Sequence, residues 1–185
     1  MAYCNSLVGI PKDCGDNNSG SLEEVLIGSF EDVLELTVTD TGDPDTDGEV
    51  TAVTRLLGTQ FEQFTFPKDT STFSEELVVD LIADSNGFSQ TIEMGFRRID
   101  LRKRNAIALL VQGRRDLVAA VKDTNGDHWL LGTDQGLRVS ANSKTSNGTR
   151  AAGQALPVTL TSEYEKYQMY KITKVAYDSL LLPAV

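Results

Sequence analysis

The chain has 185 residues, of which 40% are apolar, and these values are typical of a domain that can bury a core. No apolar run approaches the ~20 residues of a membrane-spanning helix, and the first dozen residues lack the charged start and apolar stretch of a secretory signal. We therefore expect no membrane partner and folding in a cytoplasm, where Cys4 and Cys14 stay free thiols. Two cysteines and one histidine are also too few for a closed zinc site.

The formal net charge of −10 is unevenly distributed along the chain. Residues 1–95 carry 19 acidic and 3 basic side chains, which gives −16, whereas residues 96–185 carry 8 acidic and 14 basic side chains, which gives +6. Such a division is typical of a protein whose acidic surface meets the basic surface of a neighbour. The alternative is that folding intermixes the two halves.

The first half of the chain predicts an arm followed by strands. Residues 1–20 are rich in Gly, Asn, Asp and Ser and read as an N-terminal arm, followed by a single β-rich domain over residues 21–185. Alternating or apolar runs predict strands at 22–27, 33–38, 50–57, 60–66, 73–82 and 91–96. Gly28-Ser29, Pro67 and the turn residues 85–87 separate these strands, and residues 40–49 form a long acidic loop.

The second half predicts one helix and a hairpin. Good helix formers over 100–112, followed by Gly113, indicate a helix that packs on a sheet by its apolar C-terminal portion. Asn125-Gly126 between the apolar runs 116–121 and 128–131 is a strong hairpin signal. Further strands are predicted at 137–141, 157–162 and 170–175, with a small-residue loop at 143–153. The expected class is mainly β (α+β), an antiparallel β-sandwich or barrel with one flanking helix.

Catalytic chemistry has little support in the sequence, so we expect no enzyme and no cofactor. His128 is the only histidine, and a nucleophile–histidine–carboxylate set could in principle use it. However, no nucleophile-elbow pattern accompanies it, and the phosphate-loop and dinucleotide-binding patterns are both absent from the sequence. A histidine where a strand begins is usually only a surface or half-buried residue.

The acidic loop contains a partial calcium motif. Asp43, Asp45 and Asp47 alternate and are followed by Gly48, as at the start of a calcium-binding loop. The twelfth position is Thr54, where such a loop needs a bidentate glutamate. The motif is therefore a weak metal candidate, and a solvated acidic loop that faces a neighbouring subunit is the preferred interpretation.

A basic segment follows the strand predicted at 91–96. It could bind phosphate groups, but no aromatic residues are interleaved for base stacking, and salt bridges to an acidic neighbour explain it equally well. Together, the acidic loop and the basic segment form the candidate subunit interface: Asp43, Asp45, Asp47, Glu49, Arg97, Arg98, Arg102, Lys103 and Arg104.

Residues 73–170 carry a diffuse resemblance to a known family. The run FSEELVVDL is followed by a strand that ends in MGFRRID, then by the predicted helix and by the hairpin LVAAVKDTNGDHWLLGTDQGLRV. The loop SKTSNGTRAAGQ then leads into PVTLTSEYEKY. This order of elements resembles the tail-tube-like structural proteins of tailed phages, particularly phages of Bacteroidetes-type hosts.

The resemblance implies a ring-forming virion protein, assembled in the host bacterial cytoplasm. In such tubes the sheets of adjacent subunits join into a continuous inner barrel, loops and a terminal arm reach the next ring, and DNA passes through the lumen without sequence-specific contact. The expected partners are copies of the chain and other proteins of the tail or head–tail junction. Two alternatives are a head–tail connector or stopper ring, and a calcium-stabilised β-domain for binding or adhesion.

Overall fold

The computed structural model describes residues 21–40, 42, 47–66, 70–80, 85–97, 101, 105, 107–108, 113, 115–142, 145–146 and 154–184. Antiparallel strands dominate this part of the chain, in two five-stranded sheets and a separate two-stranded ribbon. The predicted mainly-β class with a flanking helix is confirmed. The predicted arm 1–20 lies outside the described residues.

The first sheet contains strands from both halves of the chain. Its spatial order is β12-β8-β7-β1-β4. The strand bounds are Leu22–Ser29 for β1, Glu62–Thr65 for β4, Leu117–Asp123 for β7, His128–Leu131 for β8 and Tyr170–Lys171 for β12. The predicted hairpin of β7 and β8 is confirmed, and its turn contains Gly126 at φ +92°, the positive φ that favours glycine.

The second sheet has the spatial order β10-β11-β6-β5, and β9 also pairs with β11. The strand bounds are Thr72–Asp80 for β5, Ser85–Arg97 for β6, Arg138–Asn142 for β9, Thr145–Ser146 for β10 and Gln154–Glu165 for β11. Strands β9 and β10 both lie on the side of β11 that β6 does not occupy. The two sheets meet at one corner, where Leu117 and Leu137 exchange two backbone hydrogen bonds of 2.9 and 2.7 Å.

A ribbon and a helix pack on the first sheet. The ribbon is formed by β2 (Val33–Val38) and β3 (Val50–Arg55), which a short 3-10 turn, Phe30–Asp32, joins to β1. Helix α1 (Lys174–Leu180) begins after Thr173, whose side chain accepts a hydrogen bond from the Ala176 N–H. The ribbon, the helix and the two sheets therefore stack as three layers.

The core lies on both faces of the first sheet. Val25 and Ile27 of β1 pack towards the second sheet, whereas Leu26 belongs to a cluster beneath the helix and the ribbon. Alternate residues of a strand point to opposite faces, so the middle layer is apolar on both sides. This explains why β7 is a continuous apolar run, with every residue from Leu117 to Val121 buried.

Three local predictions are wrong. Gly28 does not end the first strand, because β1 continues to Ser29 and the Phe61 ring packs where a Cβ of residue 28 would lie, 2.3 Å away. Residues 85–87 are not a turn but the first residues of β6. The strand predicted at 170–175 ends at Lys171, and residues 174–180 are the helix α1 instead, because Ala176, Tyr177 and Leu180 form a buried helical face.

The helix predicted at 100–112 lies mostly outside the described residues. Within it, Leu101, Asn105, Ile107 and Ala108 are helical. Ile107 is buried in the cluster between the two sheets, which agrees with packing through the C-terminal portion of that segment. The predicted loop 143–153 contains β10, and its other residues lie outside the described part of the chain.

Candidate assembly surfaces

Strand β5 forms an open edge of the second sheet. It pairs with β6 in unbroken register from Thr72 opposite Glu93 to Asp80 opposite Ser85. Among the described strands, none pairs with the other side of β5. Natural sheets usually protect such edges with bulges, prolines, short strands or charged side chains, because unpaired N–H and C=O groups attract another strand. This edge is nine residues long and has no bulge, so its geometry suits pairing with a further strand.

The far end of β5 also exposes apolar side chains. Leu77 is 62% exposed and Val79 is 48% exposed. By strand alternation they share the face that carries Phe73, and Phe73 packs against the core between the sheets. The end of β5 therefore extends beyond the part of the sheet that the core covers, and it presents an apolar face beside the open backbone edge.

The opposite side of the second sheet is open in part. Strand β9 pairs with β11 on one side. Just before β9, Leu137 pairs with Leu117 of β7, and beyond that contact no described strand lies on the outer side of β9. Arg138 begins β9, with a side chain that is 73% exposed and that forms an ion pair with Asp116. The guanidinium of Arg138 lowers the pKa of the Asp116 carboxyl through a hydrogen bond. The β5 edge thus carries the exposed Glu76, whereas at β9 the charge of Arg138 is offset by Asp116.

The ribbon is the third candidate surface. Its inner residues, Val50 above all, pack on the first sheet, whereas Leu34 is 59% and Val38 is 37% exposed. Arg55 anchors the ribbon to the C-terminal end of α1 by donating hydrogen bonds of 2.8–3.1 Å to four carbonyl oxygens: Thr59, Ser179, Leu180 and Leu182. A positive side chain is favourable there because carbonyl groups point outward at the end of a helix.

The structure describes few residues of the predicted subunit interface. Asp47 and Glu49 are half-buried at the end of the ribbon, and an Asp47 carboxylate oxygen accepts a hydrogen bond of 3.1 Å from the Gly42 N–H. Arg97 ends β6. The remaining predicted interface residues lie outside the described part of the chain: Asp43, Asp45, Arg98, Arg102, Lys103 and Arg104.

The calcium interpretation stays a prediction. Asp43 and Asp45, two of its three candidate ligands, are not among the described residues. Within the described residues, no group of three or more His, Cys, Asp or Glu side chains is arranged to hold a metal ion.

His128 is a buried structural residue in this fold. It is 7% exposed, and its ring lies 4.6 Å from the ring of Tyr177 on α1. Burial, and then the positive charge of Lys122, lowers the pKa of His128. The Tyr177 hydroxyl donates a hydrogen bond of 3.1 Å to Glu24, and burial raises the pKa of that hydroxyl. The geometry thus places the histidine in the contact between helix and sheet.

A buried polar network, which no sequence pattern indicated, joins the two sheets. Gln90 of β6 accepts a hydrogen bond of 2.9 Å from the Gly132 N–H and donates one of 3.3 Å to the Tyr167 carbonyl. Glu75 accepts a hydrogen bond of 3.2 Å from the Met169 N–H, and burial raises the pKa of its carboxyl. These contacts fix the base of β5 to the rest of the domain.

Glu165 completes this network and is fully buried. Its carboxylate accepts hydrogen bonds from the Asp134 N–H at 2.7 Å, from the Gln135 N–H at 3.2 Å and from the Ser162 hydroxyl at 2.7 Å. The β11 register shifts between Ser162 and Glu165, and this bulge turns the carboxylate inward. Strict alternation would put Glu165 on the same face of β11 as the exposed Glu163. The sequence pattern therefore does not indicate that Glu165 is buried.

Within the part of the chain that the structure describes, no helix is long and apolar enough to cross a lipid bilayer. Comparisons of the chain with protein-family models, with curated proteins and with solved structures find no match.

Proposed function

We propose that this chain is a structural subunit that assembles with copies of itself into a closed ring, in the manner of a tail-tube protein of a tailed phage. The observation that carries the proposal is the second sheet, in which no described strand pairs with the outer side of the nine-residue, bulge-free β5, or with β9 beyond the contact at Leu137. A sheet that is open on both sides can continue from one copy into the next.

The two edges differ, so the contact between copies would be head-to-tail. Strand β5 of one copy pairs with β9 of the next, and the second sheet becomes continuous around the assembly. Head-to-tail contacts of this kind close into rings when the rotation between copies allows it. Pairing β5 with β5 would bring two acidic strands together, whereas β9 contains no acidic residue, which favours pairing of β5 with β9.

The apolar end of β5 supplies the free energy for the contact. Leu77 and Val79 would become buried against the neighbouring copy, and full burial of such a side chain contributes about 1.5–3 kcal/mol. Part of each side chain is already covered, because Leu77 is 62% and Val79 48% exposed, so each contributes the lower part of that range. New backbone hydrogen bonds along the edge would satisfy groups with which no described strand pairs.

The role we assign to the ring is mechanical. Stacked rings would form a tube of a virion, assembled in the host bacterial cytoplasm, through which DNA passes. An acidic lumen would disfavour adhesion of DNA to the wall, since like charges repel. The exposed face of the ribbon and its acidic loop would contact the next ring or another virion protein. A single connector or stopper ring uses the same edges and differs only in copy number per particle.

The decisive experiment blocks the β5 edge with lysines. In a Leu77→Lys/Val79→Lys double variant, two charges lie where the neighbouring strand must pair, and edge lysines are a common device against such pairing. We expect rings of the wild-type chain by mass photometry and negative-stain electron microscopy, and only monomers of the double variant at the same concentration.

The matched control is Val175→Lys on α1, where the native side chain is 80% exposed and away from both edges. This variant should assemble as the wild type does. Circular dichroism and thermal melting should show that all three proteins fold equally well. A wild-type chain that stays monomeric across salt and protein concentration, or a double variant that still forms rings, would refute the proposal.

A further inference from the structure

A pocket opens at one end of the two sheets, away from the exposed end of β5. It has a volume of about 460 Å³ and lies where the starts of β1 and β5 meet the turn between β7 and β8. This volume is within the range of small-molecule sites in proteins, about 300–1,000 Å³. The proposed ring does not use this pocket, so its role is a separate question.

The inner wall of the pocket is apolar and aromatic. It is formed by Leu22, Phe73, Trp129 and Met169. Leu22 is fully buried, whereas the other three are half-buried side chains at the margin of the core. Their accessible faces therefore lie towards the pocket, where they can contact the apolar part of a ligand.

The rim of the pocket is acidic. Asp123 is held in place because its carboxylate accepts hydrogen bonds from the Asn125 side chain at 2.9 Å and from the Thr124 hydroxyl at 3.1 Å. Asp127 forms an ion pair with Lys171, with 2.9 Å between Nζ and Oδ1. Asp123 is only 9% exposed, so its carboxylate lies beneath the rim, whereas Asp127 and Lys171 lie at the surface. The three groups together carry one net negative charge.

We propose that this pocket binds a small organic cation, namely an amine or guanidinium group on an apolar body. The apolar body would contact Phe73 and Met169, and the cationic group would lie near the Asp123 and Asp127 carboxylates. The Trp129 ring adds to the attraction, because a cation over an indole face is stabilised by the ring quadrupole. A neutral ligand of the same shape gains only the apolar contacts.

The intrinsic fluorescence of Trp129 provides a direct test, because this is the only tryptophan of the chain. The full-length protein is titrated with cyclohexylmethylamine and, separately, with cyclohexylmethanol, which has nearly the same shape and no charge. We expect a saturable change in Trp129 emission with the amine. The alcohol should bind roughly tenfold more weakly than the amine, which corresponds to 1.4 kcal/mol. Titration calorimetry should give one amine per chain.

Two variants locate the site. Asp127→Asn removes a rim carboxylate and leaves the ammonium group of Lys171 beside the opening, so amine affinity should fall at least fivefold. Glu163→Gln removes the same charge from an exposed position of β11 outside the pocket, and amine affinity should not change. An absence of saturable binding, equal affinity for the alcohol, or equal effects of the two variants would each overturn the proposal.

Discussion

Replacement of Glu165 tests whether the buried network holds the two sheets together. Its carboxylate is fully buried and accepts three hydrogen bonds, from Asp134, Gln135 and Ser162. Hydrogen bonds to a charged group contribute about 1.5–3 kcal/mol each when their loss leaves a buried donor unsatisfied. The Ser162 hydroxyl is 3% exposed and would lose its acceptor, whereas the two backbone N–H groups belong to a turn near the surface that water can reach.

We therefore expect the free energy of unfolding to fall by about 3 kcal/mol in Glu165→Ala, mostly because the Ser162 hydroxyl loses its hydrogen-bond acceptor and because a cavity replaces the side chain. Glu165→Gln retains one carbonyl oxygen but turns an amide donor towards other donors, so a loss of about 2 kcal/mol is expected. Urea unfolding followed by Trp129 fluorescence gives both values. Amide hydrogen exchange should quicken at Asp134 and Gln135.

Glu163→Gln is the matched control, two residues away on the same strand and exposed. Its stability should equal that of the wild type within about 0.5 kcal/mol, as is usual for surface substitutions. If both Glu165 variants are as stable as this control, the carboxylate does not hold the turn, and the argument from its three hydrogen bonds is wrong.

Three further substitutions test other contacts. Burial lowers the pKa of His128, so the unfolded chain binds a proton more readily than the folded chain, and the wild-type free energy of unfolding should fall as the pH drops below about 6.5. The His128→Asn variant should lose that part of the pH dependence, and an unchanged profile would contradict the lowered pKa of His128. In Arg55→Lys a single ammonium group cannot donate hydrogen bonds to all four carbonyl oxygens, so the free energy of unfolding in urea should fall by about 1–3 kcal/mol. A fall of less than about 0.5 kcal/mol would show that these hydrogen bonds are not needed for stability. In Gly95→Ala the new Cβ would lie 2.2 Å from the Thr70 carbonyl oxygen, so the free energy of unfolding, measured with heat and urea, should fall by about 1–3 kcal/mol. Replacement of the exposed Glu93 on the same strand by alanine should leave stability unchanged, and equal effects of the two substitutions would refute the close contact.

Local sequence patterns predicted most strands because their signals are carried by neighbouring residues. Strand β2 has the predicted bounds, Val33–Val38, and the hairpin of β7 and β8 follows from Asn125-Gly126 and the apolar runs beside it. These features depend on alternation and on turn conformations, which act within a few residues. The confirmed mainly-β class follows from the same signals.

Where the local signals failed, contacts between distant residues decided the outcome. Gly28 stays in a strand because the ring of Phe61 packs on it. Residues 174–180 form a helix because Tyr177 and Leu180 can bury against β7 and β8, whose residues lie about fifty positions away in the chain. A helix of seven residues is not stable by itself, so its own sequence gives a weak signal.

The candidate surfaces also combine features set by neighbouring residues with features set by distant residues. The sequence determined the acidic and basic character of the two halves, the apolar strand that became β5 and the turn that forms the rim of the pocket. Only the tertiary structure decided that β5 and β9 are the two open sides of one sheet, that Glu165 is buried by a bulge, and that Phe73 and Trp129 line one pocket. Alternation and turn preferences are local, whereas the order of strands in a sheet and the register of a bulge depend on which distant segments pair.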